Sequence, residues 1–229
     1  MFYDSTFLVV IPAFLFALYA QYKVQSTFGH YLRVRARSGY TGAEVARNLL
    51  AANGAGDVRV GQTNVTLGDH FDPRNKSLML SPQVYQGTSL AAISVAAHET
   101  GHALQNQEAY VPMQIRQAFV PVASFGSSLA IPLFFIGMLM GASNGQFLMT
   151  LGIWLFTAAV AFQVITLPVE FNASARALRL LSEGGYVTAE EVPHARQVLE
   201  AAALTYVAAA AVAVTQLLRL ILLRGSRRD

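Results

Sequence analysis

The chain of 229 residues contains no cysteine and few charged residues. The absence of cysteine excludes disulfide bonds and thiolate metal sites, so histidine and carboxylate are the strong zinc ligands that remain. Charged residues make up 13% of the chain and hydrophobic residues 54%, whereas a soluble domain is usually about a quarter charged. We therefore expect a protein that is built around a lipid bilayer.

Basic residues outnumber acidic residues by 16 to 13, which gives a formal net charge of +3. A basic chain can bind nucleic acid, but here the arginines lie beside apolar segments, where membrane flanks explain them better. We expect the lipid bilayer, and no nucleic acid, to be a partner of the protein. The sequence leaves the oligomeric state open.

Four apolar segments predict transmembrane helices, at residues 7–22, 118–140, 147–169 and 201–223. The first segment does not fit a signal peptide, because no basic residue precedes its apolar core and no clear cleavage site follows it. The predicted organisation is a first transmembrane helix (1–23), an extramembrane domain (24–117), transmembrane helices two and three (118–169), a further helix with a connector (170–200), and a fourth transmembrane helix with a basic tail (201–229).

The extramembrane domain has short elements that glycine, asparagine and aspartate punctuate. Thr41 is typical of a helix N-cap, and Glu44 completes a capping box for a helix that runs to residue 52. Short strands are predicted at residues 58–60 and 64–67, and another at 77–80 after a turn. An extended peptide could pair with the edge of this last strand, and a plain structural hairpin is an equal alternative.

The stretch AAHETGHALQ places His98, Glu99 and His102 in an H-E-x-x-H pattern within a predicted helix. Residues four apart share one helix face, so the two imidazoles can converge on one metal ion. Glu99 is offset by one position, which lets its carboxylate take a proton from a metal-bound water. A helix that merely carries two histidines is the alternative. The flanking residues are apolar, and a buried helix would leave three titratable side chains unsatisfied without a metal or a partner.

A third protein ligand is needed, because catalytic zinc usually has three ligands and a water. Glu170 follows the third apolar segment and is the only carboxylate between Glu108 and Glu183. Two membrane crossings separate it from the H-E-x-x-H domain, so both must lie on the same side of the bilayer. An interfacial carboxylate paired with Arg176 or Arg179 is the alternative. We favour Glu170 as the third ligand of one Zn²⁺ per chain.

Several long stretches, in one order, resemble a single protein family. They are DHFDPRNKSLMLSP, AAISVAAHETGHALQ, PVASFGSSLAIPL, TLPVEFNASARAL and AAALTYVAAA, and they extend over nearly the whole chain. The sequence resembles the YugP-like membrane zinc metallopeptidases of bacteria, within the gluzincin class, and is distantly similar to HtpX and CAAX prenyl protease type enzymes. The resemblance implies a membrane-bound peptidase in which His98, His102 and Glu170 bind zinc and Glu99 is the base.

The apolar segments and this resemblance together predict a mainly α fold. It would be an integral membrane bundle of about four helices, with a small α+β zincin-like metallopeptidase domain between the first and second spans. One position departs from the pattern of the gluzincin relatives. They usually carry an aspartate four residues after the ligand glutamate, and here that position is Ser174.

The predicted reaction is peptide-bond hydrolysis by an endopeptidase that acts on a protein or peptide. Zinc would lower the pKa of its water from 15.7 toward ~7, and Glu99 would pass the proton to the leaving amine. The sequence does not choose among the candidates for stabilising an oxyanion or supporting a ligand, which are Tyr206, Asn172, Arg176, His194 and Tyr110. His70 could bind a second metal, but a turn histidine satisfied by its neighbours explains it better.

Two other functional classes remain as alternatives. One is a non-catalytic metal-binding membrane scaffold, in which the H-E-x-x-H helix is structural. The other is a transporter or channel component, which requires ionisable groups inside the spans. Arg219 is the only one clearly inside, which counts against the transporter.

The basic clusters give conflicting signals about orientation. Arg33, Arg35 and Arg37 follow the first span and favour the cytoplasmic side. Residues 224, 227 and 228 are also arginines, and by the number of crossings they lie on the opposite face. We give the first cluster more weight. The expected location is the bacterial inner (cell) membrane, with several crossings and the active site on the cytoplasmic side, as the resemblance also implies.

Overall fold

The structure is a computed structural model that describes residues 5–65, 67–141 and 145–226. Two of the C-terminal arginines, Arg227 and Arg228, lie outside the described residues. In chain order the elements are a 3-10 helix (Ser5–Val9), α1 (Ile11–Tyr31), α2 (Gly42–Ala52), β1 (Arg59–Gln62), β2 (His70–Asp72), β3 (Ser77–Leu80), α3 (Pro82–Tyr85), α4 (Leu90–Gln107), α5 (Val111–Leu139), α6 (Gln146–Glu183) and α7 (Val192–Gly225).

The chain divides into two compact units. The membrane unit contains the described parts of Met1–Ala20, Ile115–Leu167 and Thr205–Asp229. The α+β unit contains Gln21–Gln114 and Pro168–Leu204, without residue 66. Four helical stretches among the described residues are long and apolar enough to cross a membrane: Thr6–Tyr31, Val111–Leu139, Gln146–Glu183 and Val192–Gly225. The prediction of a mainly α membrane protein with a small α+β part is confirmed.

The helices extend beyond the apolar segments from which they were predicted. The segment 147–169 lies in α6, which continues through polar sequence to Glu183. The ligand helix predicted within 170–200 is therefore the C-terminal part of α6 and not a separate helix. The difference arises because hydropathy marks the end of an apolar run, whereas a helix ends only where capping or packing terminates it.

The membrane unit has a buried apolar core and also carries apolar side chains on its surface. Phe134, Met149 and Leu220 form its buried core. Trp154 is 69% exposed and Leu139 83% exposed, as expected of side chains that face lipid. Helices α5 and α6 approach closely at Gly152, where an added Cβ would lie 2.7 Å from the carbonyl oxygen of Ala130.

Arg219, which the sequence placed inside a span, lies in the membrane unit. Its guanidinium carbon is 4.9 Å from the centroid of the Phe7 ring, within the range of a cation–π interaction. The side chain thus contacts an aromatic ring within its own unit.

The N-terminus of α2 follows the predicted capping pattern. The Thr41 hydroxyl accepts from the backbone N–H of Glu44, and the Glu44 carboxylate accepts from the backbone N–H of Thr41. The predicted capping box is confirmed. The apolar face of α2 packs against α4, and the core of the α+β unit includes Leu50, Ile93 and Leu181, which are almost completely buried.

The small sheet has the strand order β1-β3-β2, with β1 parallel and β2 antiparallel to β3. The prediction of a strand at 77–80 is confirmed. The prediction at 64–67 is wrong for its described residues, and the chain instead forms β2 at His70–Asp72. Because β3 pairs on both sides, its edge is not free to bind a peptide. Such short strands depend on their partners more than on local sequence, so the local sequence did not locate β2.

Candidate metal centre

Helix α4 carries the H-E-x-x-H motif through the core of the α+β unit. It begins after Ser89, whose hydroxyl accepts from the backbone N–H of Ala92. The alanines and isoleucine that precede the motif, residues 91–93 and 96–97, are fully buried, so the predicted buried position of the helix is confirmed. Glu99 and His102 are 8% and 7% exposed.

Helix α6 brings Glu170 to the same place. Its carboxylate is 1% exposed, although 72 residues separate it from His98. The two helices can approach closely because position 101 is glycine. An added Cβ there would lie 2.7 Å from the carbonyl oxygen of Ala173 and 3.2 Å from its Cα. The small residue within the motif therefore determines how near Glu170 comes to the histidines.

The three predicted ligands converge on a common point. Oε2 of Glu170 lies 3.3 Å from Nε2 of His98 and 3.4 Å from Nε2 of His102. The ligand atoms of all three residues lie within 4.8 Å of one another. In a tetrahedral zinc site with bonds of about 2.0–2.2 Å, neighbouring ligand atoms are about 3.3–3.6 Å apart. The two distances from Glu170 to the histidines, and the nitrogen and oxygen donors, therefore fit zinc.

The charges at this site also fit a divalent cation. Glu99 and Glu170 are two buried carboxylates beside two imidazoles, and buried charges need compensation. Burial lowers the pKa of His102, but the hydrogen bond to Glu170 and the charges of Glu99 and Glu170 outweigh burial and raise that pKa. The site therefore attracts positive charge, which either a proton or a metal ion can supply.

Both histidines have a partner behind the ring, at Nδ1. The Ser174 hydroxyl lies 3.2 Å from Nδ1 of His98. Gln105 Oε1 lies 3.0 Å from Nδ1 of His102. A role for Gln105 was not predicted from the sequence. The available signal was its position one turn after His102, on the same helix.

Asp69 is a second residue near the site for which the sequence predicted no role. Its carboxylate accepts from the backbone N–H and the hydroxyl of Ser81. Burial raises the pKa of Asp69, the Ser81 hydrogen bonds oppose this rise, and the negative charge of Glu99 adds to it. Asp69 directly precedes β2, so this end of the strand lies close to Glu99.

The remaining candidates occupy several places in the fold. Asn172 Oδ1 accepts from Gln105 and Arg176. Arg176 forms an ion pair with Glu108, and Arg179 contacts Glu183. The Tyr110 ring is 5.9 Å from the Arg176 guanidinium carbon. His194 is exposed and packs on Tyr31, and Tyr206 belongs to the membrane unit.

His70 makes a local contact. It is exposed, and its Nδ1 lies 2.7 Å from the carbonyl oxygen of Gly68. The contact fits a histidine satisfied by its own turn. Among the described residues, the group that could hold a metal ion is the one formed by His98, His102 and Glu170.

Residues 6–225 match the family described as "Putative neutral zinc metallopeptidase". The chain therefore belongs to this family, and the resemblance predicted from its motifs is confirmed. The Bacillus subtilis (strain 168) protein described as "Putative membrane protease YugP" is 49% identical over 221 residues, which cover 96% of this chain and 97% of that protein. No solved structure matches the chain.

Proposed function

We propose that this protein is a multi-pass membrane endopeptidase of the gluzincin type. Its zinc ligands are His98, His102 and Glu170, and its general base is Glu99. The observation that carries the proposal is the convergence of both imidazole Nε2 atoms on one Glu170 oxygen, at 3.3 and 3.4 Å. Family membership and similarity to a protein described as a membrane protease support it.

The reaction adds water across a peptide bond. His98, His102 and Glu170 would hold the zinc ion, which would supply Lewis acidity to polarise the carbonyl and lower the pKa of water. Glu99 is not a ligand, and its buried carboxylate lies on the same helix, one residue after His98. It takes a proton from the attacking water and delivers it to the leaving nitrogen. The carbon–nitrogen bond breaks, and an acid and an amine are formed.

An extended peptide is the substrate that suits the sheet. Strand β2 pairs with β3 on one side and packs against α4. Within the described residues its other edge has no partner strand. A peptide strand on this edge would gain backbone hydrogen bonds and little sequence preference. Because Asp69 precedes β2 and its pKa responds to Glu99, such a peptide would run past the base.

The site is proposed to face the cytoplasm of a bacterial cell. Arg33 and Arg35 are exposed just after α1, and basic residues beside a span favour the cytoplasmic side. The orientation follows from this rule and from the resemblance to cytoplasm-facing membrane proteases.

Replacing Glu99 with Gln tests the mechanism. The full-length protein in detergent should keep its zinc, because Glu99 is not a ligand, and should lose cleavage of casein. Undiminished cleavage by Glu99→Gln would overturn the assignment of the base. Absence of cleavage by the wild type, with zinc bound, would favour the non-catalytic scaffold.

Replacing His102 with Ala tests the metal site separately. Zinc content, measured by elemental analysis, should fall from one ion per chain toward none. A variant that retains a full zinc ion would contradict the proposed ligand set. Comparison of peptide termini in cells with wild type or Glu99→Gln would then identify substrates, membrane-bound or soluble.

A further inference from the structure

Gln105 lies one turn after His102 on α4 and is fully buried. Its Oε1 is 3.0 Å from Nδ1 of His102. Its Nε2 donates to the carbonyl oxygen of Val169 at 2.8 Å and to Oδ1 of Asn172 at 2.9 Å. The buried amide therefore connects one proposed zinc ligand to α6, the helix that carries another.

The partners of Gln105 allow only one orientation of its side-chain amide. A backbone carbonyl can only accept, so the Gln105 nitrogen must face Val169 and the oxygen must face His102. An amide oxygen also only accepts, so Nδ1 of His102 must carry the hydrogen. In the neutral imidazole, Nε2 then has the free lone pair. Nε2 is the atom that faces Glu170 at 3.4 Å, which is the arrangement a metal ion requires.

The next links support this orientation. Oδ1 of Asn172 also accepts from Nε of Arg176 at 2.7 Å, and Nη1 of Arg176 lies 2.7 Å from Oε2 of Glu108. Arginine only donates, so the Asn172 oxygen must point towards Arg176 and Gln105. Glu108 is the C-cap of α4. The hydrogen-bond chain thus leaves α4 at Gln105, crosses α6 and returns to α4.

His98 has a different partner. The Ser174 hydroxyl, 3.2 Å from its Nδ1, can donate or accept. Ser174 therefore does not select a tautomer of His98, whereas Gln105 selects one for His102. This difference makes Gln105 the more important of the two partners.

We propose that Gln105 is a positioning residue for zinc, which holds His102 in the tautomer that presents Nε2 to the metal. Asn172 and Arg176 keep the Gln105 amide in the required orientation. The inference rests on the proposed zinc site. A hydrogen-bond network between α4 and α6 thus fixes the tautomer of His102 before the metal binds.

The test is Gln105→Met, which retains side-chain length and removes the acceptor and both donors. Gln107→Met is the matched control, because Gln107 lies on the same helix and is exposed. Its amide donates to the backbone of Asn53 and Gly54, away from the ligands. Zinc affinity of the full-length protein in detergent is measured by competition with a chelator. The affinity should fall about 10–100-fold in Gln105→Met, as is typical of lost ligand partners, and remain within about twofold in Gln107→Met.

Co²⁺ supplies a spectroscopic readout that fold stability alone does not move. The visible absorption of bound Co²⁺ should change in Gln105→Met and match the wild type in Gln107→Met. If Gln105→Met does not fold, Asn172→Ala takes its place, with a smaller loss of zinc affinity because the donation to Val169 remains. Wild-type affinity and spectrum in the folded variant would overturn the role of Gln105. Full zinc binding by His102→Ala would instead overturn the proposed function.

Discussion

Gly101→Ala should weaken zinc binding, because the added methyl group would separate the two helices that carry the ligands. The Cβ would lie 2.7 Å from the carbonyl oxygen of Ala173, and ordinary contacts begin near 3.4 Å. The contact is with backbone, so α6 must move by about 0.7 Å, whereas ligand distances tolerate about 0.2 Å. Glu170 lies three residues before Ala173 and would move with it.

The expected magnitude follows from the cost of overpacking. Such a contact typically costs about 1–3 kcal/mol. In the metal-free protein the helices can separate, so zinc must bring them back against this strain. The strain energy of about 1–3 kcal/mol is then subtracted from the free energy of zinc binding, which lowers zinc affinity by about 5–150-fold. Zinc affinity is measured by chelator competition, and the melting temperature is measured in the presence of EDTA.

Gly152→Ala is the matched control. Its added Cβ would also lie 2.7 Å from a helix carbonyl oxygen, that of Ala130, but in the membrane unit. This variant should lose stability and keep its zinc affinity. Wild-type zinc affinity in folded Gly101→Ala would refute the reasoning, and an equal loss in Gly152→Ala would show that general destabilisation explains the effect.

Three further predictions concern the α+β unit. Thr41→Ala should lower the free energy of unfolding by about 0.5–2 kcal/mol, measured with denaturant, because the capping box of α2 is lost; no change would contradict the cap. The pKa of Asp69 is raised above its ordinary 3.8, so the folded protein holds this proton more tightly than the unfolded chain does. The free energy of unfolding of the wild type should therefore fall relative to that of Asp69→Asn as pH rises from 3.8 through the raised pKa. Parallel curves of unfolding free energy against pH would contradict this. Arg74 is 88% exposed and the chain has no cysteine, so Arg74→Cys provides a single thiol that reports which side of the membrane the site faces. An impermeant maleimide should label this variant in inside-out vesicles and not in right-side-out vesicles. The reverse result would place the site outside the cytoplasm.

Elements that depend on local sequence were predicted well. The α2 capping box and the H-E-x-x-H helix follow from residues three or four apart, which contact one another in any helix. The strand at His70–Asp72 was missed because three residues carry little pattern, and β2 exists through its pairing with β3. The sequence placed a span and a further helix on either side of residue 170, whereas α6 is one continuous helix to Glu183, because it continues after the apolar run stops.

The sequence by itself determined the donor types, the helix that carries two of them and the apolar segments, because each depends on composition or on short-range periodicity. The number of crossings even predicted that Glu170 lies on the side of the histidines. Only the tertiary structure decided that two imidazoles converge on one Glu170 oxygen, that Gln105 supports His102, and that Gly101 permits the approach of α6. These are contacts between helices far apart in the chain, and their distances depend on packing that no local pattern encodes.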